Sequence, residues 1–564
     1  MPRVEEALPF GVALPQKAPW DEWLARLDPG DPSLPHRIEL GIPMRDGLEL
    51  AADIHLPAAT KLPAPAVVLG TPYDKGQPLD GVEMYQRAGF VGVIYDIRGR
   101  GKSEGTFNPF AADGLDGHDV VEWVARQSWC NGDVAVSGLS YGGWTAWATI
   151  RERPGALKAA ITTSPAGRWQ EEIPYTHGCL PLSFVFWFAL TRRRINDASR
   201  TPHAFVDTLP VAAIGKAIDP AGPAWEDMLA HDALDDFWRA RRWDGEYDFD
   251  LPVLHVTGWH DRDDMNGAFH HYEQMMATSP ARDLQWLVVG PWSHASTRNP
   301  TDAYSDVEAP GGAVDMDAIH VRFLDRFLRD ERNGVDEEPR VRLYDPGTRE
   351  WKVRPRWGAG TVARDLPLGS DGALGIAFDE AGETSYEYDP LRPNGIPFDT
   401  RAELWELPLD LGGLESQDGV LTWTSAPLEE PLTIRGRSEL KMFAATDGED
   451  TEWHTKLADV DAEGTSLCVS WGCLRASHAE DPGAPQPLTP GEVRRYAVEL
   501  SPSFHTFAAG HRIRLVLASS EYPWFARNLN RFGPIADQAD PRIARNTVHH
   551  GGARPSRLRL PVEE

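Results

Sequence analysis

A short apolar run, Asp133-Val134-Ala135-Val136-Ser137, ends in Gly138-Leu139-Ser140-Tyr141-Gly142-Gly143, and a helix-compatible run follows from Thr145 to about Arg153, closed by Pro154. The run is too short for a helix and reads as a buried strand. Strand, sharp turn, helix is the context that makes Gly-x-Ser-x-Gly a nucleophile elbow. A side chain at Gly138 or Gly142 would clash where the backbone doubles back. The turn lifts the Ser140 hydroxyl clear of the sheet and puts the Tyr141 N–H at a helix N-terminus, where an oxyanion is favoured. The chain carries the same pattern a second time, Gly101-Lys102-Ser103-Glu104-Gly105. No apolar strand enters that copy and no helix leaves it, so it reads as a glycine-rich loop.

The elbow needs a parallel sheet around it, and the flanking sequence supplies one. Arg37 to Pro43 and Leu48 to Leu56 form a hairpin about Arg45-Asp46-Gly47. Ala66 to Gly70, Phe90 to Tyr95 and Leu157 to Thr163 are further strands, with helical spacing between them from His118 to Arg126. Alternating strands and helices predict a sheet covered on both faces. From about Gly167 to Asp250 that rhythm stops in a Trp-, Phe- and Arg-rich region with helix-like pieces such as Ala224 to Trp238, expected to be an inserted helical cap. Strands resume at Pro252 to Gly258 and Leu284 to Val289, with helices at Asn266 to Ala277 and Asp315 to Arg329. After about Pro339 short alternating segments recur without a long helix: Val341 to Tyr344, Ser438 to Ala445, Leu467 to Leu474, Arg495 to Leu500 and Arg512 to Ala518. They predict a β-sandwich of jelly-roll type. The expected organisation is an α/β-hydrolase fold over 1–166 and 251–338, interrupted by a helical cap over 167–250 and followed by an all-β jelly-roll domain over 339–564.

At 564 residues the chain is too long for one core, in keeping with that division. A formal net charge of -29 argues against nucleic acid or an anionic membrane as partner. The N-terminus has no basic segment followed by an apolar one, and the longest apolar run, about Cys179 to Leu190, contains Pro181 and is too short to span a bilayer. The four cysteines, at 130, 179, 468 and 473, have no metal-ligand spacing and no disulfide framework. Cys468 and Cys473, an odd number apart in a strand, are expected on opposite faces. These readings predict a reduced, cytoplasmic protein with no cofactor and no metal.

A serine hydroxyl is a poor nucleophile until an imidazole takes its proton, and a carboxylate must then hold that imidazole. In this fold class the order along the chain is Ser, Asp, His. Gly258-Trp259-His260-Asp261 follows one late strand and Gly290-Pro291-Trp292-Ser293-His294 follows the last, so Ser140, Asp261 and His294 all fall just past strand C-termini, where α/β sites form. His118, His260, His270 and His271 are the rival bases, and Asp263 and Asp264 the rival acids. Tyr73, after an early strand, is a turn tyrosine or an oxyanion-hole donor beside the Tyr141 N–H. Asp263 and Asp264 either cap the helix near Asn266, or join Glu171 or Glu172 in a carboxylate cluster for a substrate ammonium group. Trp169 and Trp259 complete the substrate-binding candidates.

Pro72-Tyr73-Asp74-Lys75, the Asp96-x-Arg98-Gly99-x-Gly101-x-Ser103-x-Gly105 loop, the elbow, the two late loops, Trp453-His454-Thr455-Lys456-Leu457-Ala458-Asp459-Val460 and Gly510-His511-Arg512-Ile513-Arg514-Leu515 together carry a resemblance. From about residue 37 to 560 the chain resembles the cocaine-esterase-like and X-Pro dipeptidyl-peptidase-like serine hydrolases, and within them the α-amino-acid ester hydrolases. The resemblance implies Ser140 as nucleophile, His294 as base, Asp261 as orienting acid, and the Tyr73 hydroxyl with the Tyr141 N–H as oxyanion hole. Asp261-Arg262-Asp263-Asp264 followed by Met265-x-Gly267-Ala268 looks like the ester-hydrolase branch, where an acidic cluster holds a free α-amine. This chain has Glu171 and Glu172 near the place where that branch supplies an Asp. The expected substrate is a small-molecule ester or amide, cleaved through an acyl-enzyme, and a homo-oligomer is compatible with the reading. The rivals are a hydrolase of neutral or acidic acyl groups, with the carboxylates as caps and solvated charge, and a binding protein using the jelly roll with the elbow inert.

Overall fold

The computed structural model describes residues 36–564 apart from 77–80, 185–186, 188–190, 192–206, 219–222, 244, 246, 263, 305–306, 376–379 and 397–408. Ten strands form one sheet: β1 (His36–Pro43), β2 (Glu49–Leu56), β3 (Ala64–Thr71), β4 (Val91–Asp96), β5 (Cys130–Leu139), β6 (Leu157–Thr163), β7 (Val253–Gly258), β8 (Gln285–Gly290), β9 (Val341–Asp345) and β10 (Glu350–Arg354). Their order is β1-β2-β4-β3-β5-β6-β7-β8-β9-β10, parallel from β4 to β9 and antiparallel at both margins. The inner strands read as continuous apolar runs because both faces are buried. In β3, Ala66 and Val68 pack with Val120 and Trp147 on one face, while Val67 and Leu69 pack with Phe323 and Leu324 on the other. The covering helices include α1 (Asp113–Ala125), α2 (Tyr141–Arg151), α5 (Met265–Thr278) and α6 (Met316–Leu328). The chain leaves β3 for β4 on one side and later returns to β5 on the other, so the crevice for a ligand lies at the carboxyl ends of β3 and β5. This is the α/β-hydrolase arrangement.

Val341–Asp345 departs from the expectation. It adds in parallel to β8, Leu343 against Val289, and Glu350–Arg354 follows it as the sheet's edge. A five-residue alternating segment carries no information about which sheet it joins, and so the hydrolase sheet runs past the expected boundary at 338. The expected helical piece from Ala224 to Trp238 is two helices, α3 (Pro223–Ala230) and α4 (Asp236–Arg241). Asp235 ends the first possibility of continuation by capping the second helix, accepting from the Phe237 and Trp238 amides.

Beyond residue 360 two further sheets pack face to face. One holds β11 (Thr361–Pro367), β12 (Gly382–Tyr388), β14 (Leu432–Thr446), β17 (Arg494–Phe507), β19 (Ala544–His550) and β20 (Arg557–Glu563); the other holds β13 (Leu421–Thr424), β15 (Glu452–Val460), β16 (Ser466–Arg475) and β18 (Arg512–Ala518). Ile434, Leu440, Trp453, Leu457, Leu515 and Leu558 fill the space between them. The sandwich is of the expected jelly-roll type. Parity fails at one point in it. A bulge skips Val469, so Cys468 lies opposite Ala458 and Cys473 opposite His454. Ala458 and His454 are four apart on one strand and share a face, which places both cysteines on the side turned from the sandwich core. No described helix is long and apolar enough to cross a membrane.

Candidate active site

Ser140 stands between β5 and α2 at φ 60° and ψ -125°, a conformation an L-residue adopts only under constraint. The constraint is visible on both sides. The Ser140 N–H donates to the Thr163 carbonyl at 3.0 Å, and its own carbonyl accepts from Trp144 N–H at 3.0 Å. A Cβ on Gly138 would lie 2.2 Å from the Gly142 carbonyl, and one on Gly143 would lie 2.9 Å from the Thr163 carbonyl. Glycine therefore lets the strand end and helix start touch. The side chain of Ser140 is half-buried, and Tyr141 opens the helix, where backbone N–H groups have no intrahelical acceptor.

Tyr73 follows β3, the strand paired with β5, so it stands across the crevice from the elbow. Its hydroxyl accepts from Trp187 Nε1 at 3.1 Å, and the Trp187 ring lies parallel to the Tyr141 ring at 5.8 Å. Trp187 thus links the two residues expected to form an oxyanion hole. The sequence does not single it out, since there it is one tryptophan in an aromatic cap and no spacing marks it.

The two late loops are stitched together. Trp259 N–H donates to the Gly290 carbonyl at 2.9 Å and His260 N–H to the Trp292 carbonyl at 3.0 Å. A Cβ on Gly258 would meet the Trp292 carbonyl oxygen at 2.1 Å, and one on Gly290 would meet the Trp292 ring at 2.2 Å. That close crossing accounts for glycine at the head of both loops. It brings His294 Nδ1 to 3.1 Å from Asp261 Oδ1, with Asp261 fully buried. Asp264 Oδ2 lies 3.7 Å from the same nitrogen. Asp264 occupies the N-cap position of α5 but makes no side-chain bond to the helix, so capping is not its role. Asp263 lies outside the described residues.

The rival groups are accounted for elsewhere. Ser103 is buried, donating to the Asp96 carbonyl at 2.5 Å and accepting from Ala51 N–H at 2.8 Å. Burial pushes His260 down to about 3, His270 to about 2 and His271 to about 3. His271 Nδ1 bonds Tyr247 Oη at 2.8 Å, and His118 bonds Arg45 at the surface.

The two cap glutamates separate. Glu171 is held by Arg242 at 2.6 Å and by Arg168, so its charge is already matched. Glu172 is buried, accepts from the Gly167 and Arg168 amides, and has its pKa pushed up to about 7 by burial, to which the charge of Asp261 adds. Trp169 is fully buried behind the elbow, 4.1 Å from Phe110 and 5.2 Å from Trp144 ring to ring. Trp259 is a correction to the substrate list: its ring packs on Phe269 and Trp357 and its Nε1 donates to the Tyr344 carbonyl at 2.6 Å. It belongs to the joint beside β9, which the sequence could not place.

A buried carboxyl supports the elbow from behind. Asp113 Oδ2 accepts from Tyr141 Oη at 3.0 Å and Trp144 Nε1 at 3.2 Å. Burial raises its pKa to about 7 against the lowering effect of those bonds. The folded state therefore holds a proton that the unfolded chain releases near pH 4, and this group's contribution to stability falls as pH rises from about 4 to about 7. Asp113→Asn keeps the acceptor without the charge. Its stability relative to the parent is expected to climb across that window, by no more than about 4 kcal/mol, and to level off above it. Denaturant melts at pH 5 and pH 8 check this, and a difference independent of pH would refute it.

Among the described residues, Cys179, Glu452 and His454 bring potential metal-ligand atoms within 4.8 Å of one another. His454 Nε2 and Glu452 Oε2 are already bonded at 2.8 Å.

Residues 46–296 match the model of the X-Pro dipeptidyl-peptidase (S15 family), and residues 333–559 that of the X-Pro dipeptidyl-peptidase C-terminal non-catalytic domain. The chain is 29% identical to a cocaine esterase of Rhodococcus sp. (strain MB1 Bresler), across 92% of this chain and 97% of that one. It superposes on an α-amino acid ester hydrolase with a TM-score of 0.86 at 26% identity, covering 94% of this chain and 97% of the other. An aminopeptidase of a marine sediment Thaumarchaeota archaeon shares the fold, with a TM-score of 0.86 at 24% identity over 98% and 99% of the two chains.

Proposed function

This chain belongs to the cocaine-esterase-like, X-Pro dipeptidyl-peptidase-like serine hydrolases, and we propose that Ser140, His294 and Asp261 carry its reaction, with acyl groups bearing a free α-amine preferred. The observation that carries the reading is the 3.1 Å contact between His294 Nδ1 and buried Asp261, formed by two stitched loops at the same sheet end as the Ser140 elbow. In the proposed reaction Ser140 Oγ attacks the carbonyl carbon and its proton passes to His294 Nε2. Asp261 holds the imidazole by its Nδ1–H and balances its charge. The Tyr141 N–H and the Tyr73 hydroxyl stabilise the oxyanion. Collapse expels the alcohol or amine, which takes the proton from His294. Water, deprotonated by the same imidazole, then releases the acid and restores Ser140.

The amine preference rests on Asp264, whose carboxylate reaches the triad instead of the helix. A similar solved structure is of an α-amino acid ester hydrolase. Glu171 is excluded from this role by its arginines, and Glu172, with a pKa near neutrality, is the weaker partner for a cation. A second reading, hydrolysis of uncharged aromatic acyl groups, is favoured by the rings of Phe107, Phe110 and Trp187 gathered about Tyr141.

A fluorophosphonate probe tests the core of the proposal. It is expected to label the protein once, with the adduct on Ser140 by peptide mass spectrometry. An unlabelled protein, or an adduct on another serine, would show the elbow inert and favour a binding role.

A further inference from the structure

Immediately after Asp261 the chain sends its next side chain into the other domain. The Arg262 side chain is buried, and its guanidinium lies 2.7 Å from Glu521 Oε1. The same oxygen lies 2.5 Å from Lys456 Nζ as a second ion pair. The guanidinium carbon lies over the Trp471 ring at 4.9 Å and over the Trp524 ring at 5.0 Å. All four partners come from the jelly roll. Lys456 on β15 and Trp471 on β16 are cross-strand neighbours, and Glu521 follows β18. Glu521 is held well below the usual carboxylate range by Arg262 and Lys456, despite burial.

A buried guanidinium is retained only where a counter-charge meets it, and removing that charge leaves it uncompensated. Arg262 is therefore fixed. Its Cα is one peptide, about 3.8 Å, from that of Asp261, so the acid cannot move independently. On its other side the turn is held by the amide bonds from Trp259 and His260 to the His294 loop. The acid turn is pinned at both ends, by the hydrolase sheet before Asp261 and by the jelly roll after it.

Resting on the triad proposed above, we infer that the jelly-roll domain is a working part of the active site: through Glu521 it locks Arg262, a positioning residue, and so sets where Asp261 presents its carboxylate to His294.

The test compares variants of the full chain on one ester substrate. Arg262→Met leaves Glu521 paired with Lys456, so no buried charge is orphaned. Lys456→Met leaves the Arg262–Glu521 pair. Arg262→Met is expected to lower kcat by about 10- to 100-fold, the cost of a misplaced catalytic group, with KM within about twofold, and Arg262→Lys to recover part of the loss. Lys456→Met is expected to lower Tm with kcat unchanged. Wild-type kcat in folded Arg262→Met would overturn the inference. So would an equal fall in Lys456→Met, because the network would then act through general stability. Should Arg262→Met fail to fold, Glu521→Asp decides: a lowered kcat supports the inference and an unchanged one overturns it. Ser140→Ala runs alongside. Undiminished turnover in that variant would sink the proposed function and this inference with it, whereas an inert Ser140→Ala beside a fully active Arg262→Met sinks this inference alone.

Discussion

Ser140→Ala is expected to lower turnover of a chromogenic acyl ester by about 10^4-fold or more, with the circular-dichroism melt within a few degrees of the parent. The size of the effect follows from what is removed. In the proposed mechanism the imidazole and carboxylate act on the serine proton, so without the hydroxyl they have nothing to act on, and only binding and the oxyanion donors remain. Stability is spared because the bonds that shape the turn are made by the Ser140 backbone, its N–H donating to Thr163 and its carbonyl accepting from Trp144. Alanine meets the same φ of 60° that serine does. A variant that kept more than a few per cent of parental kcat would refute Ser140 as the nucleophile.

Asp264→Asn is expected to remove most of the preference for α-amino acyl esters over their des-amino analogues. A charge-assisted hydrogen bond contributes about 1.5–3 kcal/mol, so kcat/KM for the amino substrate should fall roughly 10- to 100-fold while that for the des-amino analogue changes little. The side chain is 7% exposed, and an ammonium beside it would meet little competing water. Asp264 also lies 3.7 Å from His294 Nδ1, so a loss confined to the amino substrate separates recognition from damage to the imidazole. Equal kcat/KM for both substrates in the unmutated protein would rule out an ammonium site. An equal fall for both in Asp264→Asn would make Asp264 a support for His294.

Much of the frame was legible before any coordinates. The apolar run into Gly138-Leu139-Ser140, and the two glycine-led loops ending at Asp261 and His294, mark strand ends in one parallel sheet. Burial on two faces leaves continuous apolar runs that a sequence displays directly. Helix starts are less legible. The helix expected from His118 begins at Asp113, whose buried carboxyl looks in sequence like an ordinary first-turn acid. Val341–Asp345 looked like a sandwich strand because alternation reports burial and not the identity of the neighbour.

The sequence by itself determined the order of elements, the elbow and the positions where chemistry could stand, because these depend on the periodicity of short segments and on where glycine is sterically required. Only the tertiary structure decided which partner each charge meets. Glu171 is matched by Arg168 and Arg242, Asp264 faces His294 instead of its own helix, and Arg262 is locked by Glu521 from another domain. The state of a buried charge is set by the partner that meets it; one of those partners, Arg242, lies 71 residues from Glu171, and the partner of Arg262 lies in the jelly roll.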